Sequence, residues 1–200
     1  MNYQLEMEKQ LQNLKGGEKL LLHACCAPCS SYVLSYLTEF FDITVYYYNP
    51  NISPKEEFTK RYLELERFIK EYPFEKEVSL EEGEYYYEDY QNAIKGHEGD
   101  KEGGKRCYLC YKLRMEKAFI YAKEHGFDYV TTTLSISPHK NAQWINEIGR
   151  ELEEKYHIPY LYADFKKKDG YKKSIAFSSE YGLYRQDFCG CVYSRRDQSD

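Results

Sequence analysis

The chain has 200 residues, of which 28 are basic and 33 acidic, so its formal charge is −5. Aromatic residues make up 17% of the sequence, which excludes intrinsic disorder because disordered chains are poor in them. No apolar run approaches the roughly 18 residues that a membrane span requires, and the polar, acidic start lacks the apolar stretch of a secretory signal. We therefore expect one cytoplasmic domain over residues 1–200, with no membrane association.

Apolar periodicity predicts helices that alternate with short strands along the chain. The predicted strands are 19–24, 42–48, 75–80, 128–133 and 158–162. The predicted helices are 3–14, 31–40, 54–71, 85–94, 107–125, 141–156 and 172–181. Ser53 is the expected N-cap of the third helix, with Pro54 as its first residue. Repeated strand–helix units imply an α/β fold with a doubly wound parallel sheet, onto which a partly helical tail, 164–200, folds back.

Loops after the strands are the predicted location of the functional site. Ligands of doubly wound sheets bind beyond the carboxyl ends of the strands, where the loops from neighbouring strands meet. Four loops of this chain hold that position: 25–30, 49–54, 134–140 and 164–170.

Seven cysteines fall into three tight groups, which scattered core cysteines would not do. The groups are Cys25, Cys26 and Cys29; Cys107 and Cys110; and Cys189 and Cys191. In a reducing compartment we expect thiols rather than a disulfide framework, and an odd number cannot all be paired. The groups therefore predict metal binding or redox chemistry.

The sequence around each group is suited to thiolates. The first group follows a predicted strand and opens a helix, where the helix dipole stabilises anions. The second pair shares one helix face, and Lys105 and Arg106 just before it are expected to lower its thiol pKa. Gly190, between the third pair, allows the backbone to bend so that both sulfurs point to one region.

Spacing alone leaves three kinds of site open. A structural zinc ion uses four ligands and would leave three cysteines spare. A thioredoxin-like site would use Cys26 and Cys29, with the redox spacing after a strand, and would leave five unexplained. An iron–sulfur cluster takes four thiolates and carries electrons, and the remaining thiols would be available to a second metal.

Five segments together carry a more specific pattern. They are Leu21-Leu22-His23-Ala24-Cys25-Cys26-Ala27-Pro28-Cys29-Ser30, Arg106-Cys107-Tyr108-Leu109-Cys110-Tyr111-Lys112-Leu113-Arg114, Thr131-Thr132-Thr133-Leu134-Ser135-Ile136-Ser137-Pro138-His139-Lys140, Asp164-Phe165-Lys166-Lys167 and Tyr184-Arg185-Gln186-Asp187-Phe188-Cys189-Gly190-Cys191-Val192-Tyr193-Ser194. In this order they resemble the cobalamin-independent epoxyqueuosine reductase family.

The resemblance implies the last step of queuosine synthesis, in which the epoxide oxygen of epoxyqueuosine is removed at the wobble base of tRNA. Two electrons and two protons are consumed. It also implies a variant of the adenine-nucleotide alpha-hydrolase-like, Rossmann-like fold, in which a Cys-Cys-Ala-Pro-Cys-Ser segment replaces the pyrophosphate loop. ATP use is therefore not implied.

The resemblance also suggests two metal centres. We expect a 4Fe–4S cluster and an adjacent mononuclear iron, with the seven cysteines as the ligands of the two centres. The consecutive residues Cys25 and Cys26 are expected to serve different centres. The expected partners are the tRNA anticodon loop carrying epoxyqueuosine and an electron donor such as ferredoxin or flavodoxin. The alternative functions are a zinc-stabilised nucleic-acid-binding module and a thiol–disulfide oxidoreductase.

Epoxide reduction requires an acid at the oxygen and electrons at the adjacent carbon. Asp164, at a strand end, is a candidate proton donor or metal ligand, and its pairing with Lys166 or Lys167 is the alternative. Cys25 is the other candidate catalytic residue, whereas His23 is expected to be a core histidine. The residues expected to bind substrate are Ser137, His139, Lys140, Lys166, Lys167, Arg185 and Gln186.

Charge is distributed unevenly along the chain. Residues 51–103 carry 8 basic and 15 acidic side chains, whereas residues 164–200 carry 8 and 6. The net negative charge excludes only indiscriminate nucleic-acid binding, which depends on phosphate neutralisation. The lysines at positions 166, 167, 168, 172 and 173 are the expected phosphate contacts.

Overall fold

The computed structural model describes residues 2–194. The strands are β1 (Lys19–His23), β2 (Asp42–Tyr47), β3 (Ser79–Glu82) and β4 (Tyr129–Thr132). The helices are α1 (Tyr3–Gln12), α2 (Ala27–Leu37), α3 (Lys55–Glu71), α4 (Tyr87–Ala93), α5 (Lys105–His125), α6 (Ala142–Tyr156) and α7 (Gly170–Glu180). All strand pairs are parallel, in the order β3–β2–β1–β4.

Both faces of the sheet are covered by helices. Leu20 and Leu22 of β1 pack into the layer that contains α2 and α3, and Leu21 packs into the opposite layer with α5 and α6. All three leucines are fully buried, and burial of each contributes about 1.5–3 kcal/mol. The predicted α/β class with a doubly wound parallel sheet is therefore confirmed.

The strand order creates a crevice at one edge of the sheet. From β1 the chain crosses to β2 on one side, whereas β4 pairs with β1 on the other side. Connections after β1 and β4 therefore diverge at the carboxyl edge, which is where ligands of such sheets bind. The first cysteine group follows β1, and the turn 133–136 follows β4.

The predicted fifth strand, 158–162, is wrong, because this segment makes only a single parallel bridge between Val130 and Tyr160. Pro159 cannot donate a ladder hydrogen bond. On the outer side, the amides of Tyr160 and Tyr162 donate to side chains instead, to Glu153 Oε1 (3.2 Å) and Gln10 Oε1 (3.0 Å). Helix side chains thus close the edge where a further strand would pair.

Two other predicted boundaries are corrected. β3 lies at 79–82 rather than 75–80, because this polar edge strand pairs with β2 through residues that apolar patterning does not mark. Pro54, and not Ser53, is the N-cap of α3, which begins at Lys55 without a side-chain cap. The Ser53 amide donates to the carbonyl of Gly190 (3.0 Å), so this loop holds the third cysteine pair.

The tail returns to the core within the described residues. Helix α7 packs on α2, Phe165 and Leu183 lie in the apolar layer beneath it, and Arg67 Nη2 donates to the carbonyl of Tyr181 (3.1 Å). Residues 195–200 of the predicted tail lie outside the described residues. Between residues 2 and 194, no helix combines the length and apolarity that crossing a membrane requires.

Candidate active site

The first cysteine group lies at the start of α2, directly beyond β1. Cys26 is the N-cap residue, Cys29 lies in the first turn, and Pro28 fits there because that turn does not need its N–H. The three sulfurs lie within 4.8 Å of one another, and those of Cys25 and Cys26 are 3.9 Å apart. The group thus concentrates three thiols at the positive end of a helix dipole.

This spacing fits a single metal ion. Metal–sulfur bonds of about 2.3 Å in tetrahedral geometry separate neighbouring sulfurs by about 3.8 Å, close to the distance between Cys25 and Cys26. Three thiolates form a soft donor set that suits iron or zinc. Although Cys25 and Cys26 are consecutive, one ion is able to contact both.

The thiols of this group differ in pKa. Hydrogen bonds from Cys26 and Cys29 hold the pKa of the Cys25 thiol well below its usual value, and the Lys140 and Arg114 cations act in the same direction. The same interaction raises the pKa of Cys26 to about 12. Of the three thiols, Cys25 is therefore the one whose deprotonated form its neighbours favour most.

The second and third groups meet at another cavity. Cys107, Cys110, Cys189 and Cys191 all line a space of about 10 Å³ behind the main cleft. Burial raises the pKa of Cys110 to about 12 and also raises that of Cys107. Arg106 lowers the pKa of Cys107, as expected, but burial outweighs this effect and the net shift is upward. The four cysteines of the second and third groups thus border one small cavity.

Gly190 is required between the third pair. Its φ of +116° is in the region that favours glycine, and a Cβ there would lie 2.9 Å from Ile52 Cγ1 and 3.1 Å from Arg61 Nη1. Arg61 is 1% exposed and donates to the carbonyls of Cys189 (3.1 Å) and Phe188 (3.3 Å). Sequence reasoning missed this buried arginine, since the two carbonyls that it binds follow more than 120 residues later.

A cavity of about 310 Å³ joins all three groups. Cys25 and Cys29 line it from the first group, Cys107 from the second and Cys189 from the third. The residues that were predicted to bind substrate and that lie in its lining are Ser137, His139, Lys140, Arg185 and Gln186. The loops after β1 and β4, the start of α5 and the tail thus enclose one cleft.

Within the described chain, Asp164, Lys166 and Lys167 are not among the residues that line this cleft. The Asp164 carboxylate lies 2.9 Å from Lys166 Nζ, the pairing that was the stated alternative, and Lys166 also donates to the carbonyl of Ser135 (2.9 Å). Lys167 is exposed. Their catalytic and substrate-binding roles stay predictions.

Gln186 and Arg185 approach the cleft from the tail. Gln186 Nε2 donates to Cys26 Sγ (3.1 Å), so it contacts a thiol of the first group directly. Arg185 is exposed and donates from Nη1 to Ser178 Oγ (3.2 Å), which fixes the guanidinium at the rim.

Arg114 and His23 are both fully buried near the thiols, but only Arg114 brings a charge to them. Arg114 donates to Asn49 Oδ1 (3.2 Å) and lines the main cleft, where its charge acts on Cys25 and Cys110. His23 contacts Thr132 Oγ1 (2.9 Å) and the Tyr48 carbonyl (3.0 Å) through its two ring nitrogens. Burial lowers the pKa of His23 to about 4, so it is the predicted core histidine.

Buried polar atoms without a protein partner surround the thiols. Among the described residues they include both amide atoms of Asn51, Nε of Arg106, Nη2 of Arg114 and Oε1 of Gln186, all of which line one of the two cavities. An unsatisfied buried group costs about 1–3 kcal/mol. Three of these atoms are donors, Asn51 Nδ2, Arg106 Nε and Arg114 Nη2, and donors without a protein partner beside a group of thiols fit a metal centre whose sulfur atoms accept hydrogen bonds.

Comparison with known proteins identifies the family. The model of a family described as epoxyqueuosine reductase QueH matches residues 20–197. The chain belongs to this family. The resemblance read from the five motif segments is therefore confirmed, and every cysteine group falls within the matched residues.

Individual QueH relatives align along nearly the whole chain. The epoxyqueuosine reductase QueH of Streptococcus pyogenes serotype M1 is 44% identical over 195 residues, which cover 96% of this chain and 76% of the relative. The Staphylococcus epidermidis protein of the same name is 39% identical, with 98% and 87% covered. That of Thermotoga maritima is 34% identical, with 88% and 89% covered.

Proposed function

We propose that this protein is an epoxyqueuosine reductase that removes the epoxide oxygen of epoxyqueuosine in tRNA, with uptake of two electrons and two protons. Family membership supports this activity. The observation that carries it is the 310 Å³ cleft onto which all three cysteine groups open. The seven free thiols support action in the cytoplasm.

We further propose a division of the cysteines between two metal centres. The four that share the small cavity, Cys107, Cys110, Cys189 and Cys191, supply the thiolates of a 4Fe–4S cluster. Contrary to the expectation that Cys25 and Cys26 serve different centres, we assign Cys25, Cys26 and Cys29 together to a mononuclear iron, which their short sulfur separations favour. When bound, the cluster supplies single electrons and the ion acts as a Lewis acid.

Lys140 stabilises negative charge at the cleft. Burial alone lowers its pKa, but negative charge on the sulfurs of Cys189 and Cys25 raises the pKa above the ordinary value of a lysine. The ammonium therefore keeps its proton, and it faces the cleft as a cation rather than as a base. An oxygen that gains negative charge as the epoxide opens is stabilised by such a group.

Asp164 is the proposed proton donor or additional metal ligand. To reach the cleft, its carboxylate has to separate from Lys166, with which it pairs at 2.9 Å. Arg185 and His139 at the rim, with Lys167 beyond it, are the proposed contacts for the anticodon loop.

Anaerobic turnover of tRNA that contains epoxyqueuosine tests the proposal. With a chemical reductant, the iron-loaded protein is expected to yield a nucleoside lighter by one oxygen atom, identified by mass, and the metal-free protein none. Replacing the chemical reductant by reduced ferredoxin or flavodoxin tests the electron donor. Unchanged epoxyqueuosine with a fully loaded protein would contradict the activity, and zinc alone, without an iron signal in Mössbauer spectra, would contradict the metal assignment.

A further inference from the structure

Asn51, in the loop between β2 and α3, has no role in the proposed reaction so far. Its side chain is fully buried, and neither Nδ2 nor Oδ1 has a hydrogen-bond partner among the described residues. Asn49, two residues earlier, is equally buried but donates to the Ala24 carbonyl (2.8 Å) and accepts from Arg114. The loop is therefore able to satisfy an amide, and Asn51 is the exception.

An unpaired buried amide needs a partner from outside the protein. Burying an amide without hydrogen bonds is unfavourable, and replacement by an apolar residue of similar size removes that penalty. A buried amide that lacks protein partners is therefore informative about what occupies the adjacent space.

The adjacent space is the four-cysteine cavity. Asn51 lines it together with Tyr90 and Arg106. The Tyr90 hydroxyl interacts with the Cys191 thiol, and Arg106 Nη1 donates to the carbonyls of Glu98 and Asp100. Glu102, Tyr111 and Ser194 also line this cavity, but among the described residues no oxygen accepts a hydrogen bond from Asn51 Nδ2. The other acceptors at this cavity are the cysteine sulfurs and the sulfur atoms of a centre bound by them.

We propose that Asn51 Nδ2 donates N–H···S hydrogen bonds to the metal centre held by Cys107, Cys110, Cys189 and Cys191, and that these bonds raise its reduction potential. This inference rests on the proposed cluster at those four cysteines. Hydrogen bonds to the sulfurs are among the factors that set such potentials, because they stabilise the reduced state, which carries more negative charge. Asn51 is thus a positioning residue that acts on the cluster.

Two variants of the full chain test this role after anaerobic cluster assembly. Asn51→Leu removes the donors at similar volume, and Asn51→Asp replaces them by a carboxylate of the same shape. Both are expected to retain iron and acid-labile sulfide, and to shift the midpoint potential, measured by redox titration with electron paramagnetic resonance, to more negative values. The shift is expected to be larger for the aspartate, which adds negative charge.

Asn146→Leu is the matched control. Asn146 is also buried, but its amide bonds the carbonyls of Ala142 (2.8 Å) and Ala163 (2.9 Å) and accepts from the Ala163 amide (3.0 Å). This variant is expected to lower the thermal unfolding midpoint and leave the potential unchanged. Metal-free Asn51→Leu is expected to unfold at or above the wild-type temperature.

The outcomes separate this inference from the proposed function. A wild-type protein that binds no iron–sulfur cluster would overturn both. A normal wild-type cluster whose potential is unaltered in Asn51→Leu would overturn the role of Asn51 alone, as would a loss of iron from that variant, which would make Asn51 a ligand instead.

Discussion

Individual cysteines differ in what their neighbours allow them to bind. The sulfurs of Cys25, Cys26 and Cys29 lie within 4.8 Å of one another, whereas the other four thiols border a separate cavity. We therefore predict that Cys110→Ser loses acid-labile sulfide together with most of the iron. Cys29→Ser is expected to keep its sulfide and lose only the iron that exceeds the cluster. Iron and sulfide assays on anaerobically assembled protein measure both.

The two serine variants are each other's control, since each removes one thiol from a group that opens onto the same cleft. Equal loss of sulfide from both would contradict the division, because it would require a cluster that spans the first group as well. Retention of sulfide in Cys110→Ser would place the cluster elsewhere.

At the residue scale, the sequence predicted those residues whose role follows from residue type and from position along the chain. The cysteine groups stand out by clustering, and five of the seven predicted substrate-binding residues line the cleft because loops after parallel strands share one edge. Asn51 and Arg61 were not predictable in the same way. An orphaned amide or a buried guanidinium is defined by tertiary neighbours, and Arg61 reaches a carbonyl 128 residues away.

Helix α3 connects the tail to the sheet through two arginines in different environments. Arg61 is 1% exposed, pairs with Glu57 at 2.7 Å and holds the carbonyls of the third cysteine pair. We predict that Arg61→Met lowers the free energy of unfolding by about 3 kcal/mol, because removal of one partner leaves a buried charge and two carbonyls unpaired. Urea unfolding of the metal-free protein measures this loss.

Arg67, on the same helix, provides the comparison. It pairs with Glu64 and Glu71 at 2.8 and 2.7 Å, but its side chain is 37% exposed, and exposed pairs contribute about 0–1 kcal/mol. Arg67→Met is therefore expected to lose less than about 1 kcal/mol and to retain its iron. Similar losses from the two variants would show that burial does not decide the contribution of Arg61.

Elements buried on both faces were predicted better than elements at the sheet edges. β1 reads as a continuous apolar run because both of its faces are covered. β3 is a polar edge strand, and segment 158–162 looks like a strand although Gln10 and Glu153 occupy its outer amides. Edge pairing depends on which groups cover the edge, which short-range patterning does not report.

The molecule as a whole places its chemistry at one edge of the sheet and much of its basic tail beside it. Tyr171 and Ser174 of α7 line the cleft, and Lys167 and Lys172, both exposed, flank the same turn and helix. Lys166 and Lys168 are already paired with Asp164 and Glu8, and Lys173 Nζ lies over the Tyr32 ring, 5.1 Å from its centroid. Of the predicted phosphate contacts, Lys167 and Lys172 are therefore the better candidates.

We predict that the double variant Lys167→Gln, Lys172→Gln binds tRNA more weakly and with a flatter salt dependence. Each phosphate contact contributes about 0.7–0.9 to the slope of log affinity against log salt, so loss of two contacts reduces it by roughly 1.5. Titrations at a series of salt concentrations give the slope. The control is Lys15→Gln, Lys76→Gln, in which Lys15 precedes β1 and Lys76 pairs with Asp42 at the amino end of β2.

Both double variants change the net charge by the same amount, so the comparison separates position from total charge. If the tail contacts the backbone of the anticodon arm, only the pair near the cleft flattens the slope, and the control keeps the wild-type slope because its lysines lie at the opposite edge of the sheet. An equal flattening of the slope in both variants would mean that tRNA binding responds to the electrostatic field of the whole molecule. The cleft would then have to bind the anticodon loop without direct contacts from Lys167 and Lys172.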